Sequence, residues 1–182
     1  MDRKKIEKLT AELIQAIGED PEREGLKDTP SRVAKSFEML YGGYQKDPKD
    51  LITLFDGEDY DQMIICKDID FYSTCEHHLL PFFGKAYVGY LPDKKIIGIS
   101  KIPRIIEIFA RRLQNQERLT MQIANTINDL LKPQGVGVVI KAQHLCMLSR
   151  GVERQNAVIT TSSFTNLFKT NQKTRSEFLG LI

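Results

Sequence analysis

The sequence predicts an α+β fold in which an antiparallel sheet of four strands carries two helices on one face, preceded by an N-terminal pair of helices. Apolar residues show helical spacing up to about residue 43, and short apolar runs typical of strands begin after residue 58. Two further helical patterns interrupt those strands midway. The core order is therefore strand, strand, helix, helix, strand, strand, which places both helices on one face and leaves the other in need of cover.

The two N-terminal helices are predicted from periodicity and caps. In the first helix, apolar residues recur at helical spacing until Gly18 stops the pattern. The second is expected to begin with Thr29 as its N-cap before Pro30, and to end at Gly42 and Gly43. The apolar residues of the two helices are Ile6, Leu9, Leu13 and Ile17, and then Val33, Phe37 and Leu40. We expect residues 45–57 to link these helices to the main domain, which divides the chain into 1–57 and 58–182.

The main domain alternates between the two kinds of pattern. Strands are predicted at 63–66, 69–73, 85–91, 96–99, 136–147 and 157–163. One helix between them carries Ile102, Ile105, Ile106 and Phe109, and the other carries Leu119, Ile123, Ile127 and Leu130 before Pro133 and Gly135 end it. A four-stranded sheet has two open edges, so we expect subunits to pair through edges or faces.

Composition excludes several classes of protein. With 182 residues, 41% of them hydrophobic and 27% charged, the chain is one ordinary globular domain or one domain with a short N-terminal attachment. The net charge of +2 is too small for nucleic-acid binding through bulk electrostatics, so no nucleic-acid partner is expected.

Scarce residues concentrate in two clusters, Cys-Glu-His-His at 75–78 and His-Leu-Cys at 144–146. Together they hold all three histidines and two of the three cysteines of the chain. Thiolate and imidazole are the ligands that zinc prefers, and Cys-x-x-His lets one short turn aim two of them at one ion. The sequence therefore predicts a metal centre.

The spacing leaves open whether this centre is closed or catalytic. If residues 136–147 are a strand, His144 and Cys146 project from the same face, so His144 is either a fourth ligand or a neighbouring acid-base group. In an extended segment His77 points away from His78. We therefore expect His77 to transfer protons near the metal without binding it.

A disulfide between Cys75 and Cys146 is the competing interpretation. Residues 1–18 form a charged amphipathic stretch without an apolar signal core, and no later segment approaches a membrane span. We therefore expect a cytoplasmic protein with no membrane partner, and a reducing cytoplasm disfavours the disulfide. Cys66 is most simply a small buried hydrophobe.

A phosphate site is predicted where the first core helix begins. Lys101 and Arg104 lie where the helix dipole already places positive partial charge, an arrangement that an anion would stabilise. Ser100 can cap the helix or join the contact, and Arg150 can bring another cation. The alternative is that these cations only reach into solvent.

Gln116 and Glu117 open the next helix. An acidic residue in a first turn stabilises the helix dipole, which is a sufficient explanation on its own. A carboxylate can also accept the two parallel N–H groups on the Watson–Crick edge of guanine.

Four separated motifs resemble the GTP cyclohydrolase I family. They are Ser-Thr-Cys-Glu-His-His at 73–78, Gly-Ile-Ser-Lys-Ile at 98–102, Gln-Glu-Arg-Leu-Thr at 116–120, and His-Leu-Cys at 144–146 with Arg150. The resemblance runs from about Thr29 to the C-terminus. It implies a tunnelling fold assembled as a toroidal decamer of two stacked pentamers, with active sites at subunit junctions, which would resolve the exposed sheet edges.

The resemblance also implies an activity, the conversion of GTP and water to 7,8-dihydroneopterin triphosphate and formate on the way to tetrahydrofolate or other pterins. Carried over by position, Cys75, His78 and Cys146 bind zinc and leave a position open for water. His144 is then catalytic, protonating N7 of the purine while activated water attacks C8. The other implied residues are His77 and Ser100 in proton transfer near the ribose, Gln116 and Glu117 on the guanine edge, and Lys101, Arg104 and Arg150 with Arg32 of a neighbouring subunit on the triphosphate.

Two other functions remain as alternatives at this point. The nitrile reductase of queuosine synthesis shares the implied topology but relies on a nucleophilic cysteine and a reduced nicotinamide. A structural zinc module that binds a protein partner would need a closed site with His144 as fourth ligand. For Arg32, a solvated helix cation is the alternative role.

Overall fold

A computed structural model describes residues 1–150 and 156–182. The chain forms two compact units, Met1–Gly42 and Gly43–Ile182. Residues 45–57, which the sequence assigns to a linker, belong to the second unit. The functional division after residue 57 stays a prediction.

The first unit begins with α1 (Arg3–Ala16). Asp2 caps this helix, because its side chain accepts a hydrogen bond from the backbone N–H of Lys5 at 3.0 Å. Gly18 follows the helix with a φ of +92°, a conformation that favours glycine. Ile14 is the buried residue of the helix, whereas three of the predicted apolar positions are exposed: Leu9, Leu13 and Ile17.

The second helix of this unit, α2 (Thr29–Leu40), begins one residue earlier than predicted. Asp28 therefore occupies the N-cap position instead of Thr29, and it makes no side-chain cap hydrogen bond. Pro30 lies in the first turn, where its missing N–H has no helical partner to lose. Ala34 is fully buried, while the predicted stripe is half-buried: Val33, Phe37 and Leu40.

The second unit contains a five-stranded sheet, a two-stranded sheet, and helices. Its strands are β1 (Leu54–Asp56), β2 (Ile64–Cys75), β3 (Pro81–Leu91), β4 (Lys95–Ile97), β5 (Leu113–Gln114), β6 (Gly135–His144) and β7 (Ile159–Phe164). Its α-helices are α3 (Lys101–Ala110), α4 (Gln116–Leu131), α5 (Leu145–Leu148), α6 (Asn166–Thr170) and α7 (Gln172–Leu181), and Gly42–Gln45 and Pro48–Leu51 are short 3-10 helices.

The main sheet has the strand order β5-β2-β3-β6-β7. Its four long strands pair antiparallel, and the two-residue β5 lies parallel to the end of β2. Helices α3 and α4 cover one face of this sheet and share its larger hydrophobic core. The predicted α+β class is confirmed. No described helix combines the length and the apolar character that a membrane crossing requires.

Two strands predicted separately, 63–66 and 69–73, form the single strand β2. The register with β3 shifts between Cys66 and Ile69, and Asp68 has a positive φ of 57°. This is a β-bulge, which breaks the alternation of the sequence without ending the strand.

The predicted strand at 96–99 is not part of the main sheet. It is β4, which pairs antiparallel with β1 in a separate two-stranded sheet. The stretch predicted to be a linker thus supplies a strand, because β1 finds its hydrogen-bonding partner about forty residues later in the chain.

The predicted strand at 136–147 was too long. Strand β6 ends at His144, and residues 145–148 form the short helix α5. Cys146 therefore lies on a helical turn, and the face-sharing argument that paired it with His144 does not hold.

The opposite face of the sheet is covered in part by the C-terminal helices. Phe168 of α6 and Phe178 of α7 are fully buried against this face. Glycine makes room for them, since a Cβ at Gly137 would lie 2.5 Å from the Phe168 ring and one at Gly89 would lie 2.7 Å from the Phe178 ring. We expected other subunits to cover this face of the sheet, but α6 and α7 of the same chain cover part of it.

Replacing Gly84 with alanine is expected to destabilise the sheet. A Cβ at this position would lie 2.0 Å from the Lys141 carbonyl oxygen and 2.7 Å from Ala142 Cα, so β3 and β6 would have to separate. We expect a loss of about 3 kcal/mol, seen as a thermal midpoint lower by about 6–12 °C. Gly180→Ala is the control, because its Cβ would meet nothing within 4 Å. Equal midpoints for the two variants would contradict the prediction.

Candidate metal centre and active site

The candidate metal ligands meet at one end of the main sheet because β3 lies between β2 and β6. Phe82 of β3 pairs with Ser73 of β2 on one side and with His144 of β6 on the other. Cys75 is the last residue of β2, and Cys146 follows the end of β6 by two residues. Chain segments seventy residues apart in the sequence are thus placed side by side.

Cys75, His78 and Cys146 form a cluster whose ligand atoms all lie within 4.8 Å of one another. The two Sγ atoms are 3.9 Å apart, and Cys75 Sγ is 3.7 Å from His78 Nδ1. Tetrahedral zinc with Zn–S of about 2.3 Å and Zn–N of about 2.0 Å separates two sulfurs by about 3.8 Å and sulfur from nitrogen by about 3.5 Å. The three residues therefore fit a zinc ion.

The same distances bear on the disulfide alternative. Both cysteines are free, and 3.9 Å far exceeds an S–S bond of about 2.05 Å. Burial and the neighbouring Cys75 thiol raise the pKa of the Cys146 thiol. Two thiols this close resist losing both protons unless a cation compensates the charge, and metal binding supplies that compensation.

His144 is held in two directions. Its ring stacks on Phe82 with centroids 4.5 Å apart and planes within 2° of parallel. Its Nε2 lies 2.8 Å from Oε1 of Gln116. Burial lowers the pKa of His144, although the carboxylate of Glu117 acts in the opposite direction. The cluster of mutually close ligand atoms does not include His144.

His77 lies in a turn rather than in the extended segment that the sequence suggested. Its side chain is 65% exposed, and its Nε2 lies 3.7 Å from a carboxylate oxygen of Glu76. The rings of His77 and His78 are nearly perpendicular, with centroids 6.2 Å apart. The turn thus presents His78 to the two thiols while His77 lies outside the ligand cluster.

Glu76 anchors the turn that carries both histidines. One carboxylate oxygen accepts a hydrogen bond from Asn115 Nδ2 at 3.0 Å, and the other pairs with Arg118. The backbone N–H of Glu76 also donates to the Gln114 carbonyl at 2.9 Å. The ion pair with Arg118 lowers the pKa of Glu76. The start of α4 therefore fixes the position of the ligand turn.

Replacing Glu76 with glutamine is expected to weaken zinc retention by about 10-fold or more. The substitution keeps the side-chain shape but removes the charge that pairs with Arg118, so His78 is positioned less firmly. Competition with a chromogenic chelator measures the loss. Glu107→Gln is the matched control, because Glu107 forms its ion pair with Arg111 on the surface of α3. Equal zinc affinity in both variants would exclude an anchoring role.

An open cavity of about 260 Å³ connects these groups. This volume is below the range of about 300–1,000 Å³ typical of sites for drug-sized ligands, so one chain accommodates a ring system more readily than a whole nucleotide. The cavity is lined by Cys75, His77, His78, Asn115, Gln116, Glu117, His144, Cys146, Met147 and Ile159.

The predicted phosphate-binding residues do not line this cavity. Ser100 occupies the N-cap position of α3, but its side chain makes no cap hydrogen bond. Lys101 is half-buried, and Arg104 and Arg150 are exposed. Arg32 belongs to the first unit, is exposed, and donates to the Asp28 carboxylate at 3.2 Å. Within the described part of the second unit, the metal and acid-base candidates lie together, whereas Lys101, Arg104 and Arg150 do not join them.

Several residues at the site were missed by sequence reasoning. Asn115 caps α4 by accepting from the Arg118 backbone N–H at 2.8 Å, and it also holds Glu76. An asparagine directly before a helix start is a visible signal for the first role. The stacking of Phe82 on His144 had no such signal, because it depends on strand register.

The fold and the site define a class, an α+β protein with a Cys-His-Cys cluster of metal-ligand type beside a half-buried histidine. Residues 6–182 match the family described as GTP cyclohydrolase I. The chain belongs to that family, so the resemblance inferred from the motifs is confirmed.

Individual relatives agree over nearly the whole chain. A protein of Chlorobaculum tepidum named GTP cyclohydrolase 1 is 61% identical over 172 residues, covering 93% of this chain and 76% of its own length. One of Leptospira biflexa with the same name is 58% identical over 179 residues, covering 97% of each. The crystal structure of the archaeosine synthase QueF-Like in the apo form has a TM-score of 0.48 at 14% identity, covering 57% of this chain and 92% of that one.

Proposed function

We propose that this protein converts GTP and water to formate and 7,8-dihydroneopterin triphosphate, the first step toward tetrahydrofolate and related pterins. Membership of the GTP cyclohydrolase I family supports the substrate and the reaction. The observation that carries the chemistry is the cavity in which Cys75, His78 and Cys146 lie beside His144. The purine ring binds in this cavity.

The proposed metal is zinc, held by Cys75, His78 and Cys146. Two thiolates and an imidazole suit a borderline-soft ion, and a three-ligand site keeps one position open. Bound there, zinc supplies the Lewis acidity that activates water for attack on C8 of the purine. The setting is a reducing cytoplasm, where both cysteines stay available as ligands.

Protons are moved by two histidines in this proposal. His144 protonates N7 as the imidazole ring of the purine opens, because its ring lines the cavity and is held rigidly by its neighbours. His77, exposed at the cavity wall, serves the later steps at the ribose together with Ser100. Formate then leaves, and the pterin ring closes.

Glu117 holds the guanine edge. This residue lines the cavity from the first turn of α4, and a carboxylate can accept both parallel N–H groups of guanine. Gln116 was expected to share this contact, but the residue is 2% exposed and its amide is bonded within the protein.

In this proposal the triphosphate is bound by Lys101, Arg104 and Arg150, together with Arg32 from a neighbouring subunit. Lys101, Arg104 and Arg150 do not line the cavity of the single chain, which supports a site completed by assembly. Oligomerisation is a property of the family, and we propose its toroidal decamer of two stacked pentamers here. Pairing of the edge strands β5 and β7 with other subunits would satisfy their open hydrogen-bonding groups.

The test is incubation of purified protein with GTP, following formate release and the fluorescence of the oxidised pterin. One sample is stripped of metal by a chelator and then restored with zinc, and a second is restored with magnesium as a control. Both products should form only after zinc is restored. Tight binding of GTP or zinc without formate would overturn the proposed reaction.

A further inference from the structure

The amide of Gln116 is the most completely bonded polar side chain beside the cavity. Its Nε2 lies 3.1 Å from the Ile140 carbonyl, 3.0 Å from the Ile159 carbonyl and 3.1 Å from Thr161 Oγ1. Its Oε1 lies 2.8 Å from His144 Nε2. A flipped amide would direct an oxygen at two carbonyl oxygens, so only one orientation satisfies these partners.

The hydroxyl hydrogens of Thr120 and Thr161 support the same orientation of the Gln116 amide. Thr120 donates its single hydroxyl hydrogen to the Gln116 backbone carbonyl at 2.7 Å. The contact of 2.7 Å between Thr120 and Thr161 must then use the hydrogen of Thr161. Thr161 Oγ1 is left as an acceptor toward Gln116 Nε2. All three neighbours of Gln116 Nε2 are therefore acceptors that share its two hydrogens, and the amide oxygen of Gln116 is left to face His144.

The orientation of the Gln116 amide determines which ring nitrogen of His144 carries the hydrogen. An amide oxygen can only accept, so Nε2 of His144 carries a hydrogen. Stacking on Phe82 fixes the plane of the ring, and the bond to Gln116 fixes its rotation within that plane. Nδ1 has no hydrogen-bond partner among residues 1–150 and 156–182.

We propose that Gln116 is a positioning residue that holds His144 as the Nε2–H tautomer, so that Nδ1 is the nitrogen that exchanges a proton with the substrate. The statement about the substrate rests on the proposed function, whereas the tautomer does not. Nε2 keeps its hydrogen and its bond to Gln116 throughout, while Nδ1 takes the proton that water loses as it attacks C8 and passes that proton to N7 of the purine. This role replaces the guanine contact that the sequence suggested for Gln116.

Two substitutions of Gln116 distinguish a residue that positions His144 from a residue that binds guanine. Gln116→Leu removes the acceptor for His144 at nearly constant volume. Gln116→Glu keeps an acceptor, because a neutral carboxylic acid can donate to one of the facing carbonyls of Ile140 and Ile159 and accept from His144 with its other oxygen. A guanine-binding residue and a residue that orients His144 should respond differently to this pair.

The tautomer is read by ¹⁵N NMR of histidine-labelled, zinc-loaded protein. The chain has three histidines, and the spectrum of His144→Asn assigns the signals of His144. We expect wild type and Gln116→Glu to show a protonated Nε2 and an unprotonated Nδ1. Gln116→Leu should show a mixture of tautomers or the opposite one. A wild-type His144 protonated on Nδ1 alone would overturn the proposal.

Kinetics give the second readout. We expect Gln116→Leu to lower kcat for GTP by about 100-fold, with KM unchanged within about twofold, and Gln116→Glu to recover most of kcat. A raised KM with an unchanged tautomer in Gln116→Leu would instead assign Gln116 to guanine binding. If Gln116→Leu does not fold, the wild-type spectrum decides alone. Absence of GTP turnover in wild type would overturn the proposed function but leave the tautomer measurable.

Discussion

Replacing Cys146 with alanine is expected to abolish stoichiometric zinc binding and to lower GTP turnover by about 1,000-fold or more. Removing one of three ligands leaves Cys75 and His78, which cannot retain zinc as a tetrahedral site would. Loss of the metal removes several kcal/mol of transition-state stabilisation, and about 4 kcal/mol corresponds to 1,000-fold in rate. Metal analysis of the purified variant and formate release measure the two effects.

The matched control for this variant is Cys66→Ala. Cys66 packs at the edge of the core near the start of β2, nine residues before Cys75, and belongs to no ligand cluster among the described residues. It should keep one zinc per chain and nearly full activity. Zinc retained by Cys146→Ala would remove Cys146 from the ligand set.

Replacing His144 with asparagine is expected to lower kcat by about 100-fold to 10,000-fold while leaving the zinc content unchanged. Asparagine is polar and smaller than histidine, and it cannot transfer a proton at this position. The three-residue ligand cluster does not include His144, so the metal should stay bound. Metal analysis and single-turnover kinetics with GTP provide the measurements.

This experiment also separates the enzyme from a structural zinc module. Loss of zinc together with activity would make His144 a fourth ligand and the site closed, as the structural alternative requires. Gln143→Asn is the control, because Gln143 is the adjacent residue of β6 and lines a different cavity with Phe83 and Lys141. It should change neither zinc content nor kcat.

The metal site could be predicted from the sequence because the choice of metal ligands depends on residue type. The chain concentrates its histidines and most of its cysteines in two clusters, and the ligand preferences of zinc make that concentration informative. The argument that placed Cys146 on a strand was nevertheless wrong. The apolar run continues past His144, and only the packing of the chain shows that it turns into α5.

Individual strands could be predicted from the sequence only where a run of apolar residues was long enough to recognise. The long strands β3 and β6 are rich in apolar residues, so their presence and their order in the chain were predicted. The bulge at Asp68 hid the continuity of β2, and β1 was missed because a three-residue strand has too little pattern to detect. Both features depend on a partner strand that is distant in the chain.

The sequence by itself determined the order of the main helices and strands, the α+β class, the Cys-His-Cys ligand set as a hypothesis, and the family through its motifs. These depend on local spacing and on the chemistry of single residues. The tertiary structure alone decided that Glu76 anchors the ligand turn and that the side-chain oxygen of Gln116 faces Nε2 of His144. The physical reason is that hydrogen-bond direction is set by every neighbouring donor and acceptor, and Thr161 and Ile140 reach Gln116 only after the sheet has formed.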